Sequence, residues 1–293
     1  MIKKIIIILP YRGIGDLLFH IPFFKGINSK FKNKLVIFTN SANKAKSILR
    51  NEKYIKRIEY LNFKREGQFL NSIDLLKRIN IETPDLCILT APTKRLIIPL
   101  LLSKSKEKVF FKKEEMRDLS KYITKQSKIS FPKIKFNKDF SLNYAQQKGM
   151  SKIFISIDSH HDTNNWKEIY YIDLIKKLLN LSKIKKIYIN FAPSKKNNFN
   201  KIINEFIKSR KISFTYNKKF NDIIKIINNC QYVIGNESGP ICIAAALRKK
   251  IYSIYFPKYT NKSSKTIYDK VKFFNTDIVN PEKIISRIYS DLI

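Results

Sequence analysis

Cysteine and histidine are scarce in this chain of 293 residues, with three of each. Neither residue type shows the spacing of a metal-binding motif, so we expect no metal site. Each cysteine (Cys87, Cys230 and Cys242) lies in or beside an apolar segment. That position is typical of small core residues in a reducing compartment rather than of a disulfide framework.

Long apolar runs are also lacking. None approaches the roughly 18 residues that a transmembrane helix needs. Residues 1–9 contain two lysines and then only five apolar residues, too few for the hydrophobic region of a signal peptide, and no cleavage site of small residues follows. We therefore expect a cytoplasmic protein, able to contact the inner membrane only from its surface.

Acidic residues are too few to balance the basic ones. There are 58 Lys and Arg against 23 Asp and Glu, a formal net charge of +35. Such a charge fits nucleic acid, an anionic membrane surface or an anionic substrate. No nucleic-acid motif is recognisable, so we expect no nucleic-acid partner. The alternative is compositional drift, because Lys, Ile and Asn are abundant throughout, as AT-rich codons produce.

Residues 104–138 are the most basic stretch, with 12 Lys and Arg and four acidic residues. Their periodicity is poor. The stretch is interpreted either as a solvated, loop-rich excursion or as a surface for an anionic acceptor.

Apolar strands alternate with helical patterns along the chain, which predicts βα units and a parallel sheet. The continuous β-branched run Ile5–Leu9 is typical of a strand buried on both faces. Further strands are expected over 35–39, 55–60, 86–90, 153–157, 186–191, 212–215, 232–235 and 251–255. Helices are expected over 17–24, 42–49, 69–79, 169–181, 197–209, 222–229, 240–247 and 281–292.

This pattern predicts an α/β fold of two doubly wound domains in series. The expected domains are 1–145 and 146–280, followed by a terminal helix over 281–293, and the connector is expected within 143–149.

The segment after the strand 232–235 carries the most information about function. A polar turn, Asn236-Glu237-Ser238, leads into an alanine-rich helix. Ser238 is suited to the N-cap and Pro240 to the first helical turn, so the helix N-terminus at the sheet edge favours a phosphate or diphosphate. Glu237 is able to accept hydrogen bonds from sugar hydroxyls. The alternative is an ordinary strand–turn–helix of an α/β domain.

A second polar turn, Arg12-Gly13-Ile14-Gly15-Asp16, follows the first strand. It lies at the carboxyl edge of the sheet, where open α/β folds bind ligands. The third glycine of a dinucleotide fingerprint is missing, and so is the Gly-Lys-Ser/Thr of a P-loop. A carboxylate here is suited to proton abstraction, whereas the alternative is that Asp16 only caps the helix.

Two further polar turns follow strands of the second domain. Ser159 and Asn164 lie in the first turn, and Ser194 and Lys195 in the second. All four are candidates for binding a donor substrate. His160 and His161 are interpreted as loop residues.

These segments resemble the heptosyltransferases of glycosyltransferase family 9. The match at the C-terminal signature comprises Asn236, Ser238, Gly239, Pro240 and the alanines 244–246. Glu237 replaces the usual Asp, and Cys242 stands where His is common.

The N-terminal turn and the only tryptophan add to the resemblance. The family pattern near the first helix is matched by Gly15, Asp16 and Pro22, and a later Trp is matched by Trp166. Asn164 stands where the family has a phosphate-binding Lys, which moves that charge to Lys167 or another basic residue. The turn at 191–196 lacks the acidic residue that usually contacts the nucleoside.

The resemblance implies two Rossmann-like domains facing a central cleft, the GT-B architecture. It implies an inverting, metal-independent sugar transfer without a cofactor, from a nucleotide sugar to a glycolipid or oligosaccharide such as lipopolysaccharide. Asp16 is then the general base, Arg12, Gly13 and Gly15 lie by the acceptor, and Asn236 to Pro240 bind the donor.

A peripheral contact with anionic membrane fits the charge and such an acceptor. Two alternatives stay open. One is a family member with a UDP- or GDP-sugar donor, and the other is a degenerate, inactive member that binds glycan or anionic membrane.

Overall fold

The computed structural model describes residues 2–63, 67–112, 139–145, 151–159, 166–255, 271–275 and 280–293. The chain divides into two compact units, Met1–Leu142 and Asn143–Ile293. The division falls just before the boundary expected after residue 145. Of the expected connector, residues 146–149 lie outside the described part.

The first unit is a five-stranded parallel sheet with helices. Its strands are β1 (Ile5–Leu9), β2 (Leu35–Thr39), β3 (Ile55–Tyr60), β4 (Leu86–Leu89) and β5 (Glu107–Phe110). Its helices are α1 (Ile14–Phe19), α2 (Ile21–Phe31), α3 (Ala45–Ile48), α4 (Gln68–Glu82) and α5 (Lys94–Leu102), with a 3₁₀ turn at Ser41–Asn43.

The second unit is a six-stranded parallel sheet. Its strands are β6 (Lys152–Ser156), β7 (Lys186–Asn190), β8 (Ile212–Phe214), β9 (Tyr232–Asn236), β10 (Lys250–Tyr255) and β11 (Val271–Asn275). Its helices are α6 (Glu168–Leu179), α7 (Asn200–Phe206), α8 (Phe220–Asn229), α9 (Gly239–Ala246) and α10 (Pro281–Leu292), with a 3₁₀ helix at Pro193–Phe199.

In each sheet the strands are added first on one side of the starting strand and then on the other. The order of addition therefore reverses at one point, called the reversal point. The first sheet runs β3-β2-β1-β4-β5, and the second runs β11-β10-β9-β6-β7-β8. In each unit the chain starts in the middle, builds one half and then crosses to build the other. The reversal therefore lies between β1 and β4 and between β6 and β9, which is where open α/β sheets hold ligands.

Burial explains why the central strands form. All five residues of β1 are fully buried, as the run of isoleucines predicts for a strand covered on both faces. In the second unit, β9 is likewise buried along its length. Helix α9 packs on β9 and β10, and its residues Ala244 and Ala246 are fully buried.

The fold class of two Rossmann-like α/β units is confirmed, but several elements differ from the prediction. The single helix expected from residue 17 is two helices that meet at His20, because Pro22 cannot donate the backbone hydrogen bond of a continuous helix. The helix expected over 42–49 is a 3₁₀ turn and a short helix, separated by Lys44 with a φ of +57°.

Three elements were missed. Helix α5 contains Pro99, which argues against a helix interior when only the sequence is known. Strand β5 lies within the stretch expected to be loop-rich, so that expectation was wrong for Glu107–Phe110. Strand β11 completes the edge of the second sheet. Within the described ranges, no helix has the length and hydropathy of a membrane span.

Candidate functional site

At the reversal point of the second unit, β6 and β9 approach so closely that no side chain fits between them. Gly235 has a φ of +152°, and a Cβ added to it would lie 2.0 Å from the carbonyl oxygen of Ser156. Both conditions require glycine. From the sequence, Gly235 was predicted only to end a strand, although a glycine at that position is a signal of close backbone approach.

Asn236 connects this strand end to two neighbouring segments. Its side chain is fully buried, its Nδ2 donates to the carbonyl of Ile157 (2.8 Å), and its Oδ1 accepts from the backbone N–H of Trp166 (3.0 Å). Asn236 was predicted to bind the donor. Its two bonds hold the segments after β6 and before α6 in position.

Ser238 occupies the N-cap of α9, as predicted, with extended backbone angles. Its hydroxyl makes no bond to the first turn of the helix and lies 3.1 Å from the hydroxyl of Ser156. The first helical turn contains Gly239 and Pro240, both partly exposed. The N–H groups of this turn therefore receive no capping side chain from Ser238, and the positive end of the α9 dipole lies at the reversal point.

Two bonds join the turns after β6 and β7. The carboxylate of Asp158 accepts from the backbone N–H of Ala192 (2.9 Å), and the Lys195 ammonium donates to the carbonyl of Ser159 (2.7 Å). Ser159 is nearly buried, Lys195 is partly exposed, and Ser194 is exposed. The structure thus brings Lys195 to the β6 turn, a contact that spacing in the sequence did not indicate.

Trp166 is a core residue. It is buried, it packs edge-on against Tyr171 with ring centroids 5.0 Å apart, and it also contacts Tyr170. Lys167 follows it as the exposed N-cap of α6. Asn164, His160 and His161 lie outside the described residues.

The turn after β1 is held from both neighbouring strands. The side chain of Asn43 donates to the carbonyl of Tyr11 (3.0 Å), and the Tyr11 hydroxyl donates to the carbonyl of Thr90 (2.9 Å). Thr90 follows β4, so the Tyr11 bond spans the reversal point of the first sheet. The roles of Tyr11, Asn43 and Thr90 were not predictable from the sequence, because they depend on which strands are neighbours.

Asp16 lies in the first turn of α1 and is partly exposed. The N-cap residue of this helix is Gly13, and Asp16 follows three residues later, where an acidic side chain suits the helix N-terminus. A Cβ on Gly13 would lie 2.7 Å from Asp16 Oδ2. Gly13 therefore leaves space for the carboxylate. The carbonyl of Asp16 lies 2.6 Å from Nδ1 of the buried His20.

The other predicted residues lie where the turns place them. Arg12 is exposed and Gly15 partly exposed beside Asp16. Glu237 is partly exposed, and its backbone N–H donates to the carbonyl of Ile254 (3.2 Å), which extends the pairing of β9 with β10.

Metal ligands do not cluster in the described part of the chain, where no group of three or more His, Cys, Asp and Glu side chains could hold an ion. All three cysteines are thiols. Burial raises the pKa of Cys230 to about 12, although nearby Lys249 acts in the opposite direction. Burial also raises the pKa of Cys87. Both thiols are therefore unreactive core groups, and Cys242 is partly exposed.

The sequence model of glycosyltransferase family 9 (heptosyltransferase) matches residues 107–278, which is more than half of the chain. The chain belongs to this family. It is a glycosyltransferase. The matched residues include the whole β6–β9 reversal point, whereas the turn with Asp16 lies before them. No curated protein is significantly similar in sequence.

Solved structures of the family have the same fold as this glycosyltransferase. One is E. coli ADP-heptose lipopolysaccharide heptosyltransferase II, with a TM-score of 0.72 and 12% identity over 98% of both chains. Another is a family 9 glycosyl transferase of Veillonella parvula, with a TM-score of 0.72 and 12% identity over 99% of this chain and 90% of that one. E. coli heptosyltransferase WaaC with ADP-2-deoxy-2-fluoro heptose gives 0.69 and 13%, over 98% of this chain and 100% of WaaC.

Proposed function

We propose that this enzyme transfers a sugar, such as a heptose, from a nucleotide sugar to a hydroxyl of lipopolysaccharide or another cell-surface glycan, with inversion and without a metal ion. The observation that carries the proposal is the reversal point of the second unit. There the start of α9 and the close β6–β9 contact at Gly235 leave backbone N–H groups and small side chains at a sheet edge, in a chain of family 9.

The donor diphosphate binds at the N-terminus of α9 in this proposal. Gly239 and the hydroxyls of Ser238 and Ser156 border that helix end, and the dipole favours negative charge there. Glu237 contacts a sugar hydroxyl. Asn236 acts indirectly, by fixing the backbone around the site.

Lys195 supplies positive charge to this site in place of the lysine that the family has at position 164. Its ammonium already reaches the turn after β6, 2.7 Å from the Ser159 carbonyl. A lysine ammonium is a compact positive charge with three donors, which suits a phosphate ligand. Ser159 and Ser194 border the same turns, and Asn164 follows in the chain.

Asp16 is the general base. It removes the proton of the acceptor hydroxyl, and the hydroxyl oxygen bonds to the anomeric carbon as the bond from that carbon to the diphosphate oxygen breaks. The nucleoside diphosphate leaves with the bond electrons, and its charge is stabilised by α9 and Lys195. Arg12, Gly13 and Gly15 border the acceptor.

The nature of the donor is proposed from the relatives. WaaC of E. coli has been solved with ADP and with ADP-2-deoxy-2-fluoro heptose. An ADP-sugar is therefore the first donor to test, with UDP- and GDP-sugars beside it. We further infer that the enzyme works in the cytoplasm and contacts anionic membrane at its surface, since a charge of +35 is attracted to acidic lipids.

A second candidate is an inactive member of the family that binds glycan or anionic membrane. Asn164 in place of the usual lysine favours it. The two candidates differ in nucleotide release, because only an active enzyme liberates nucleoside diphosphate when a donor and an acceptor glycan are both present.

Asp16→Asn tests the catalytic proposal. We expect turnover to fall by about 10²–10⁴-fold, because the amide cannot accept the proton. Nucleotide affinity by calorimetry and the thermal unfolding midpoint should match those of the wild type. A variant that keeps more than a third of wild-type turnover would leave Asp16 with no catalytic role.

Lys195→Met tests the donor site, and Lys196→Met is its matched control on the neighbouring exposed residue. We expect the first change to weaken nucleoside-diphosphate binding about tenfold or more, since a hydrogen bond to a charged group is lost. The control should bind like the wild type. Equal affinities for the two variants would mean that a residue other than Lys195 supplies the positive charge at the donor site.

A further inference from the structure

Helices α4 and α5 of the first unit expose an apolar surface. Among the described residues, seven of the ten exposed large hydrophobic side chains lie on these two helices. Phe69, Leu70 and Leu102 are 74%, 70% and 68% exposed. Isolated exposed hydrophobic residues are ordinary, but a contiguous group of this kind marks an interaction surface.

The two helices enclose a groove of about 350 Å³. Phe69 and Ile73 line it from α4, Ile98 and Leu102 line it from α5, and the Ser72 hydroxyl joins the helices through the Arg95 carbonyl (3.0 Å). Leu70 and Leu101 lie three residues from Ile73 and Ile98 and so border the same surface. These six residues define the α4–α5 face: Phe69, Leu70, Ile73, Ile98, Leu101 and Leu102.

The charges around the α4–α5 face are basic. Lys77 on α4, Lys94 at the start of α5 and Lys104 just after it are exposed and form no ion pair within the described residues. The two acidic residues of these helices are neutralised by partners. Asp74 pairs with Arg78 (2.9 Å), and Glu82 pairs with Lys4 (2.8 Å) and with Arg57.

We propose that the α4–α5 face binds the surface of an anionic lipid bilayer, with its apolar side chains inserted among the acyl chains. An apolar centre bordered by lysines is complementary to such a surface. Long lysine side chains extend to the lipid phosphates while the apolar ones enter the hydrocarbon. The α4–α5 face is the site of the membrane contact proposed above, and this inference rests on that proposal. Membrane binding by the face does not depend on sugar transfer.

Vesicle binding at high salt isolates the inserted part of the interaction. Between 0.15 M and 1 M salt the screening length falls from about 8 Å to about 3 Å, so binding by charge alone is largely lost at 0.5 M. We expect the wild type to bind vesicles of phosphatidylglycerol and phosphatidylethanolamine at low salt and to keep part of that binding at 0.5 M NaCl. Phosphatidylcholine vesicles should bind at least tenfold less at low salt.

The double variant Ile98→Ser/Leu102→Ser should lose the salt-resistant binding by tenfold or more. Its matched control is Ile169→Ser/Ile207→Ser, two similarly exposed residues of the second unit, at 52% and 64%. The control should bind like the wild type. If both double variants bind equally, or if wild-type binding disappears entirely at 0.5 M NaCl, the α4–α5 face is not inserted.

A charge series tests the basic border. Lys77→Gln, Lys94→Gln and Lys104→Gln together should weaken low-salt binding more than Lys208→Gln, Lys218→Gln and Lys283→Gln, which remove the same charge from exposed positions of the second unit. Equal losses would mean that only the net charge of the chain matters, and would overturn the proposed border.

Insertion depth provides a spectroscopic readout. Phe69→Trp should show a blue-shifted emission on vesicles and quenching by brominated acyl chains, beyond the signal of buried Trp166. An unchanged spectrum on bound protein would overturn insertion. Light scattering without lipid should give a monomer, and a dimer that Ile98→Ser/Leu102→Ser dissociates would assign the face to a second copy instead.

Transfer to a lipid-free acceptor separates this inference from the proposed function. Ile98→Ser/Leu102→Ser should keep the wild-type rate on such an acceptor. If the wild type transfers no sugar from any donor but the vesicle results hold, the proposed function fails and the membrane surface stands. If sugar transfer is found without salt-resistant vesicle binding, the proposed function stands and the membrane surface on α4 and α5 is ruled out.

Discussion

The two sheets have reversal points at corresponding places, but the side chains at these two points differ in burial and bonding. At the β6–β9 point Ser156 and Asn236 are fully buried, whereas Glu237 and Ser238 are partly exposed. Gly235 lies against Ser156, and buried Asn236 bonds to the segments around it. At the β1–β4 point, partly buried bonds from Asn43 and to Thr90 hold Tyr11 in place, while Arg12 is exposed and Asp16 is partly exposed.

This difference fits two kinds of task. A rigid edge of backbone N–H groups is suited to a diphosphate, which requires fixed donors and little proton chemistry. An accessible carboxylate beside a glycine is suited to taking a proton from a substrate hydroxyl. The first arrangement depends on close packing, and the second on space around one side chain.

The surfaces of the units differ as well. The first unit exposes a group of apolar side chains on α4 and α5. In the second unit the described exposed large hydrophobic residues are Ile169, Ile207 and Ile293, on separate elements. A partner that recognises apolar surface is therefore expected at the first unit.

Breaking the β6–β9 contact should have the largest effect. Gly235→Ala places a Cβ 2.0 Å from a backbone oxygen that cannot move away easily, and it also imposes an unfavourable φ. We expect a loss of about 3 kcal/mol or more in the free energy of unfolding, measured with urea. Nucleotide binding should be lost too.

Gly67→Ala is the matched control for Gly235→Ala. Gly67 also has a positive φ, +65°, but an added Cβ would meet nothing within 4 Å. The control should therefore lose only about 1–2 kcal/mol. If the two substitutions lower the free energy of unfolding equally, the close packing between β6 and β9 is not what stabilises the second unit at its reversal point.

Filling the space beside Asp16 should have an intermediate effect, on activity alone. Gly13→Ala displaces the Asp16 carboxylate, because the new Cβ would lie 2.7 Å from Oδ2. A misplaced catalytic group costs up to about 10²-fold in rate, and we expect a loss of about tenfold to that limit with an unchanged unfolding free energy.

A double-mutant cycle checks the coupling of Gly13 to Asp16. Added to Asp16→Asn, Gly13→Ala should reduce turnover little further, because the group that it displaces is already inactive. Fully multiplicative losses would show that Gly13 acts independently of Asp16.

The smallest expected effect is on thiol labelling, which compares how well the cores of the two units protect their cysteines. At pH 8 a maleimide should modify Cys242 in the native protein, while Cys87 and Cys230 react only after unfolding. Burial raises the pKa of the Cys230 thiol to about 12, so its thiolate is rare at that pH. Mass spectrometry of labelled peptides measures this. Native labelling of Cys230 would mean that the second core opens readily.

Much of the fold was predictable because its signals are local. Runs such as Ile5–Leu9 indicate buried strands wherever they occur, and Pro281 marks the start of α10. The misplaced elements are those in which a local rule was overridden. Pro99 lies inside a helix, and Lys44 adopts a left-handed conformation between two short turns.

The candidate site was predictable as a set of turns but not as a constellation. Ser238 and Pro240 indicate a helix N-terminus by themselves, and the N-cap position of Ser238 is confirmed. The contact of Lys195 with Ser159 and the bonds of Asn236 span 36 and more residues of sequence. No periodicity encodes such pairs.

The sequence by itself determined most of the strands and helices and which turns are polar, because apolar periodicity and capping act within a few residues. The tertiary structure decided the order of the strands, and with it which turns share a sheet edge. Pairing β9 with β6 places Gly235 against Ser156, and packing α4 on α5 gathers scattered hydrophobic residues into one face. These contacts depend on the whole sheet, which forms only when distant segments pack together.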